Sequence, residues 1–323
     1  MRKAGRVVYQ NVLPNECAHG TFIPPTIIEI QSLSEMKQEV FGPVLHVLRF
    51  RRNGMNAMIN EINATGYGLT FGMHTRIDDA VALASSQAQA GNIYVNRNMI
   101  GAVVGVQPFG GYGLSGTGPK AGGPLYLRRL LAISPAETGL PTGQPSDVAR
   151  VWQNWLSRNE DEKAAASFAA MLAAAPFGVE LEMTGPVGER NLYATKARGT
   201  VLCVATHRSE LQRQIGAALA TGNRVLVEAG ALHSLPELPS SLSGWIKEVA
   251  EINAVAFDAV LFCGAGNTLQ TLNRAMAARD GPIVPVYVAG PDKRYPLEWL
   301  VRECSISINT AAAGGNTNLM MVG

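Results

Sequence analysis

Gly101 and Ala102 are the pair best suited by type to hold an anion. Side chains no larger than a methyl let neighbouring main-chain N–H groups converge on one ligand. A plain turn is the other reading of the same pair. Glu39 stands just ahead of Phe41-Gly42-Pro43. Its carboxylate is an acceptor-only group with two oxygens, which suits vicinal hydroxyls, and it reads equally as a solvated acid before a turn. Phe109 lies between Pro108 and Gly110, as a pocket wall that excludes water or as a core aromatic. Gly264-Ala265-Gly266 offers two glycines of a dinucleotide fingerprint without the third.

Other reactive side chains are dispersed. His19, His46, His74, His207 and His233 form no i, i+4 pair, so no metal site is expected. His46 falls in a strand pattern and reads as a core or edge residue. Cys17, Cys203, Cys263 and Cys304 lie far apart with no CxxC pair, which argues against a zinc module or a disulfide framework and fits a reducing cytoplasm. A nucleophilic thiolate needs an electropositive setting, and Asn15-Glu-Cys17-Ala-His19 announces none.

The elements that must position these residues are legible in outline. Val44 to Phe50 reads as a strand after the Gly42-Pro43 turn. Met55, Met58, Ile59 and Ile62 have the spacing of an amphipathic helix. Leu69 to His74 reads as a strand, Asp78 to about Ala90 as a helix, and Asn92 to Val95 as a further strand. Nine glycines then crowd residues 101 to 123. Such a stretch is a long shaped loop, and its Val103, Val104, Val106 and Phe109 set it apart from a Ser-rich linker.

Residues 134–185 read as a Pro-rich linker and an alanine-rich helical region. Beyond them, strands are expected at Thr200–Ala205, Arg224–Glu228, Ala259–Cys263 and Ile283–Ala289. Helices are expected at His207–Ala220, Leu242–Ala250, Asn267–Ala278 and Leu297–Arg302. This alternation predicts an α/β class with a doubly wound parallel sheet.

Composition narrows the function. The chain has 323 residues, 47% hydrophobic and 16% charged, enough apolar material for a sizeable core. Lys plus Arg number 27 against 25 for Asp plus Glu, and this balance excludes a dedicated nucleic-acid binder. No apolar h-region follows Arg2, Lys3 and Arg6, and the most apolar run, 164–176, is too short to span a bilayer. A soluble cytoplasmic protein acting on a small molecule is expected.

Several stretches resemble one family. Glu39-Val-Phe-Gly-Pro-Val44 is similar to the E-x-F-G-P-V signature of the aldehyde dehydrogenase superfamily, and Gln107-Pro-Phe-Gly-Gly-Tyr-Gly-Leu-Ser-Gly116 to its P-F-G-G…S-G stretch. Ile62 to Thr70, His74 to Asp78, Tyr94 to Phe109, Gly116 to Pro124 and Asn309 to Asn316 resemble the proline utilization A family. Its bifunctional members join a flavin-dependent proline dehydrogenase to an NAD-dependent L-glutamate-γ-semialdehyde (1-pyrroline-5-carboxylate) dehydrogenase. The resemblance implies a partial aldehyde dehydrogenase catalytic domain at 1–133. The linker and helical region follow at 134–185, and a Rossmann-like non-catalytic domain with a tail at 186–323.

The same resemblance assigns roles. Glu39 would accept hydrogen bonds from the nicotinamide ribose of NAD, with Phe41 near the ring. Gly101 and Ala102 would grip the substrate's α-carboxylate, and Phe109 would wall the aldehyde pocket. No cysteine here follows Gly-Gln, as the family nucleophile does, and no glutamate stands in an E-L-G-G context, as its general base does. The chain is therefore expected to begin after the nucleophile, to hold an incomplete NAD site and no catalytic residue, and to be inactive alone. The remainder of the enzyme as a separate chain would be its partner, and FAD would belong only to an absent proline dehydrogenase part. Ile215 to Glu228 resembles the superfamily's own cofactor domain, with Glu228 where that family has a lysine. The alternative function is a non-catalytic structural, lid or interaction module.

Overall fold

The computed structural model describes residues 6–131, 139–160, 162–290 and 292–311. The chain divides between Thr65 and Gly66 into two compact units. In the first unit β1 (Val7–Gln10), β2 (Thr26–Ile30) and β3 (Val44–Leu48) form one sheet, with β1 antiparallel and β3 parallel to β2. Helix α1 (Met55–Ala64) follows where the apolar spacing predicts it and buries Ile59.

The second unit opens with β4 (Tyr67–Gly68), β5 (Thr70–Met73), α2 (Asp78–Gln87) and β6 (Asn92–Val95). The glycine-rich segment comes next, irregular apart from β7 (Tyr112–Gly113), which pairs with β4. The alanine-rich region is two helices, α3 (Asp147–Asn159) and α4 (Glu162–Ala174). Ser146 caps the first by accepting from the Ala149 amide at 3.3 Å. Then follow β8 (Glu180–Met183), β9 (Glu189–Ala197), β10 (Thr200–Ala205), α5 (Arg208–Ala220), β11 (Arg224–Glu228), β12 (Ile246–Val249), β13 (Ala259–Cys263), α6 (Gly266–Ala277), β14 (Val286–Val288) and β15 (Val301–Asn309).

Five of these strands make a parallel sheet in the order β12-β11-β10-β13-β14. Counted along the chain this is 3-2-1-4-5, the order of a dinucleotide-binding sheet. Alternate residues serve opposite faces. Val201, Cys203, Val225, Val227, Ala259 and Leu261 join a core with Trp152, Phe168 and Ile215 from α3, α4 and α5. Leu202, Leu226 and Val260 join a second core with Phe257 and Met276. Burial on both faces explains why these strands read as continuous apolar runs.

The other large sheet has the order β5-β6-β15-β9-β8. β15 runs parallel to β6 and antiparallel to β9, so strands on both sides of the expected 134–185 connection share this sheet.

Three expected elements differ. The helix expected at Leu242–Ala250 is a short 3-10 turn, Ser240–Leu242, followed by β12. Gly244 interrupts the helical pattern, and pairing from Val225–Ile246 to Glu228–Val249 outweighs helix propensity over so short a stretch. The helix expected at Leu297–Arg302 is a 3-10 turn, Leu297–Leu300, leading into β15, whose residues gain partners on both sides. The strand expected at Ile283–Ala289 contracts to Val286–Val288, because Pro282 and Pro285 cannot donate to a ladder. Part of the expected linker, 134–138, and most of the Asn309 to Asn316 motif, 312–316, lie outside the described residues.

Candidate functional site

The glycine-rich loop leaves β6 through Asn96, whose φ of 56° is tolerated because its side chain makes local bonds. Its Oδ1 accepts from the Thr75 amide and its Nδ2 donates to the Thr75 carbonyl, both at 2.9 Å. Beyond it, two side chains pin the main chain. Asn98 Oδ1 accepts from the Ile100 amide at 3.3 Å, and Gln107 Oε1 accepts from the Val103 amide at 3.0 Å. The amides of Gly101 and Ala102, between the pinned ones, have no hydrogen-bond partner among the described residues. Gly101 has φ +84° with open space where a Cβ would sit, so only the backbone conformation demands glycine here. Two adjacent unpaired N–H groups on a fixed loop can receive a carboxylate.

Gln107 is itself held tightly. It is buried, and its Nε2 donates to Asn191 Oδ1 at 2.9 Å, Ser307 Oγ at 3.0 Å and Glu189 Oε2 at 3.2 Å. Arg97 joins the network, donating from Nη1 to Glu189 Oε1 at 2.8 Å and to Ser307 Oγ at 2.9 Å, and lies over the Tyr94 ring. β9 and β15 thus supply the floor beneath residues 97–107.

A second buried network brackets Phe109. The half-buried ring's own backbone exchanges two hydrogen bonds with Ala121, at 3.0 and 2.8 Å. Its neighbours are fixed through Lys120, which is 2% exposed. Lys120 Nζ donates to Asn92 Oδ1 at 2.7 Å, to the Gly110 carbonyl at 2.9 Å and to the Pro108 carbonyl at 3.4 Å. Glu303 accepts from the Lys120 amide at 2.7 Å and from Tyr193 Oη at 2.8 Å, and Tyr112 Oη donates to the Glu303 carbonyl. Burial draws the Lys120 ammonium down to about 8, and burial likewise holds the Glu303 carboxyl above the usual range. Gly91 lies beneath, where a Cβ would come within 1.8 Å of the Gly110 carbonyl oxygen.

Glu39 and Phe41 belong to the other unit, on the loop between the 3-10 turn Leu33–Glu35 and β3. Glu39 is exposed and Phe41 is 92% exposed. His46 is half-buried in β3. Among the cysteines, burial pushes the thiols of Cys203, Cys263 and Cys304 up, away from a thiolate at neutral pH. No group of three or more metal-ligating residues occurs among the described residues. No helix among them is long and apolar enough to cross a membrane.

The turn from β10 into α5 offers no glycine cradle for a phosphate, and Gly264 and Gly266 fall instead at the turn from β13 into α6. β10 passes into α5 through Thr206 and His207 without a glycine, and the acid Glu210 occupies the first turn of α5. Main chain cannot approach a pyrophosphate closely there, and Glu210 is taken up in a pair with Arg213. Glu228 is exposed at the carboxyl end of β11.

Lys120, Asn92, Gln107, Glu189, Asn191, Tyr193, Glu303 and Ser307 were not expected from sequence to shape the loop. The usable signal was the alternation Glu303-Cys-Ser305-Ile-Ser307-Ile308, a period-2 polar face in the last strand.

Residues 2–134 match the aldehyde dehydrogenase family. Over its whole length the chain is similar to the bifunctional protein PutA of Rhizobium meliloti, with 48% identity across 341 aligned residues, covering 100% of this chain and 27% of that protein. The structure of proline utilization A from Corynebacterium freiburgense superposes with a TM-score of 0.66 at 26% identity, covering 95% of this chain and 29% of the other. The 1-pyrroline-5-carboxylate dehydrogenase of Bacillus pumilus (strain SAFR-032) is 38% identical over 128 residues, 39% of this chain and 24% of that enzyme. The chain spans about a quarter of the length of the curated PutA relatives it matches end to end.

Proposed function

We propose that this chain forms part of an NAD-dependent dehydrogenase that oxidises L-glutamate-γ-semialdehyde, the open form of 1-pyrroline-5-carboxylate, to glutamate. The observation that carries the reading is the pair of unpaired amides at Gly101 and Ala102, held between two pinned ones. They would accept the substrate's α-carboxylate, and a fixed carboxylate sets where the aldehyde end lies. Phe109, bracketed by the Lys120 network, would exclude water from the apolar part of the pocket. Glu39 would accept from the ribose hydroxyls of NAD, with Phe41 against the nicotinamide. NAD, when bound, supplies the hydride acceptor. On this reading 1–133 is catalytic-domain material, 134–185 connects, and 186–323 is a Rossmann-like non-catalytic part.

The covalent step needs a thiol that this chain does not offer in a Gly-Gln-x-Cys setting. The 323-residue chain should therefore show no NAD reduction with the semialdehyde. A polypeptide bearing the Gly-Gln-x-Cys and Glu-Leu-Gly-Gly motifs should restore it as the partner. Restored turnover in which Gly101→Val leaves the semialdehyde KM unchanged would refute the assigned loop. Cys203 and Cys304, buried away from any substrate, leave a second reading, a non-catalytic structural or lid module, which predicts no restoration with any partner.

A further inference from the structure

The second unit holds a cleft of about 290 Å3 that the reading above does not use. It opens between the end of the glycine-rich loop, the turn into β10, the segment before β13, the stretch after α6 and the start of β15. Seams between sheets are common places for small-molecule sites.

Its charge is unbalanced. Arg198 donates to three main-chain carbonyls, those of Asp258 at 3.1 Å, Trp299 at 3.0 Å and Thr117 at 3.3 Å. Arg279 donates to the carbonyls of Val255 at 2.6 Å and Ile252 at 3.3 Å, and stacks on Phe257. Carbonyls fix these side chains and leave their charge standing. Asp258 serves Arg302 at 2.6 Å and the Thr200 amide at 2.8 Å. The other acids of the wall are matched by cations: Glu298 by Arg128, and Glu303, bonded to the Lys120 amide and Tyr193, by the Lys120 ammonium. Three guanidiniums thus face Asp258 and the exposed Asp280. Burial draws the Arg302 pKa down, and neighbouring Arg198 adds to this, while Asp258 opposes it.

The remaining wall is apolar, with Phe257, Val284 and Leu125 buried and Ile283 at the rim, 73% exposed. A surplus cation beside apolar walls suits an anionic head on an aliphatic body, and the volume lies at the small end of ligand sites. We infer that this cleft binds a small organic carboxylate of amino-acid size, its head on Arg279 and Arg302 and its body against Ile283 and Trp299. Whether the ligand also carries an α-ammonium, which Asp280 would receive, separates an amino acid from a plain carboxylic acid.

Isothermal titration of the 323-residue chain tests this with 4-methylpentanoate, L-leucine and 3-methylbutylamine, which share one aliphatic body. At least one carboxylate should bind saturably, with Kd of about 1 mM or tighter. The amine alone should not bind. Tighter binding of leucine identifies an amino-acid site, and tighter binding of 4-methylpentanoate a carboxylic-acid site; both support the inference. Arg302→Gln should weaken binding about tenfold or more. Because that change also breaks the contact with Asp258, Ile283→Glu provides the fold-neutral variant, placing a negative charge at an exposed rim position, and it should weaken carboxylate binding similarly. No saturable binding of either carboxylate, binding of the amine to the same extent, or full affinity in Ile283→Glu would overturn it.

Discussion

The loop after β6 and the turn after β10 both leave the carboxyl end of a parallel strand, yet their main chain is held to different extents. Beyond β6, the buried side chains of Gln107 and Lys120 fix the main chain at Val103 and around Gly110, and the exposed Asn98 accepts from the Ile100 amide. Beyond β10 the chain enters α5 directly, His207 makes no side-chain cap bond, and the helix buries apolar residues against the sheet. Buried hydrogen bonds add little net stability per pair but make a particular main-chain shape costly to leave. Beneath the turn after β10 such bonds are fewer: the buried Gln214 donates to the Val204 carbonyl at 3.0 Å and to Tyr295 Oη at 2.9 Å, and the rest of the α5 face is mostly apolar.

The sharpest way to break this contrast is at Gly91. An alanine there would place a Cβ within 1.8 Å of the Gly110 carbonyl oxygen and 3.1 Å of Lys120 Nζ. Backbone cannot yield as a flexible side chain does, so Gly91→Ala should destabilise by about 4 kcal/mol or prevent folding. Urea unfolding of the soluble chain checks it, and a change below about 1 kcal/mol would mean that the loop is not held as described.

Lys120→Met comes next. It leaves Asn92 Oδ1 and the Gly110 carbonyl short of a donor, at a cost of about 3 kcal/mol. The pH dependence gives a second signature. Lys120 titrates at about 8 in the folded chain, against about 10.4 for a free lysine. Between those values the unfolded chain keeps a proton that the folded chain has released, so stability from this group rises with pH. Above about 10 the buried Tyr112 and Tyr193, both raised, act in the opposite sense, because the unfolded chain then loses protons first. Unfolding free energies from pH 8 to about 9.5 should therefore climb in the wild type relative to Lys120→Met. Parallel profiles would exclude a depressed lysine.

How much of this contrast was legible in sequence depends on how far apart the partners lie. The central strands β10, β11 and β13 announced themselves because both faces are apolar, as in Thr200–Ala205, whereas β12, with Lys247 and Glu248 exposed, did not. Gly101 and Ala102 stood out through small side chains in a glycine-rich run. Gln107 did not, since a glutamine in such a loop reads as solvated until Ser307, 200 residues later, closes over it. β15 was hidden for the same reason. Its Glu303, Ser305 and Ser307 look like a solvent face, and only the Lys120 amide and the side chains of Gln107 and Arg97 turn that face inward.

A smaller effect is expected at Glu39. In turnover restored by the partner polypeptide, Glu39→Ala should weaken NAD use by about 1–3 kcal/mol, roughly five- to a hundredfold in kcat/KM. The semialdehyde KM should stay near its starting value, because Glu39 is assigned to the ribose. An unchanged NAD dependence would remove Glu39 from the site.

The smallest effect is expected where the scaffold reading is strongest. NAD should not raise the melting temperature of the 323-residue chain, since a ligand stabilises only by binding the folded state. Glu228→Lys makes the test severe, because it supplies at the end of β11 the cation that the resemblance leads one to expect. The turn from Thr206 to His207 would still lack glycine, and Glu210 would still stand in the first turn of α5. A single added cation on an exposed strand end contributes only about 1 kcal/mol, too little to replace a phosphate-binding turn. Both proteins should melt at the same temperature with and without about 1 mM NAD. A saturable rise of about 2 °C or more in Glu228→Lys alone would show that one charge silenced a working crevice. The same rise in the wild type would show a cofactor site where the sheet offers only support.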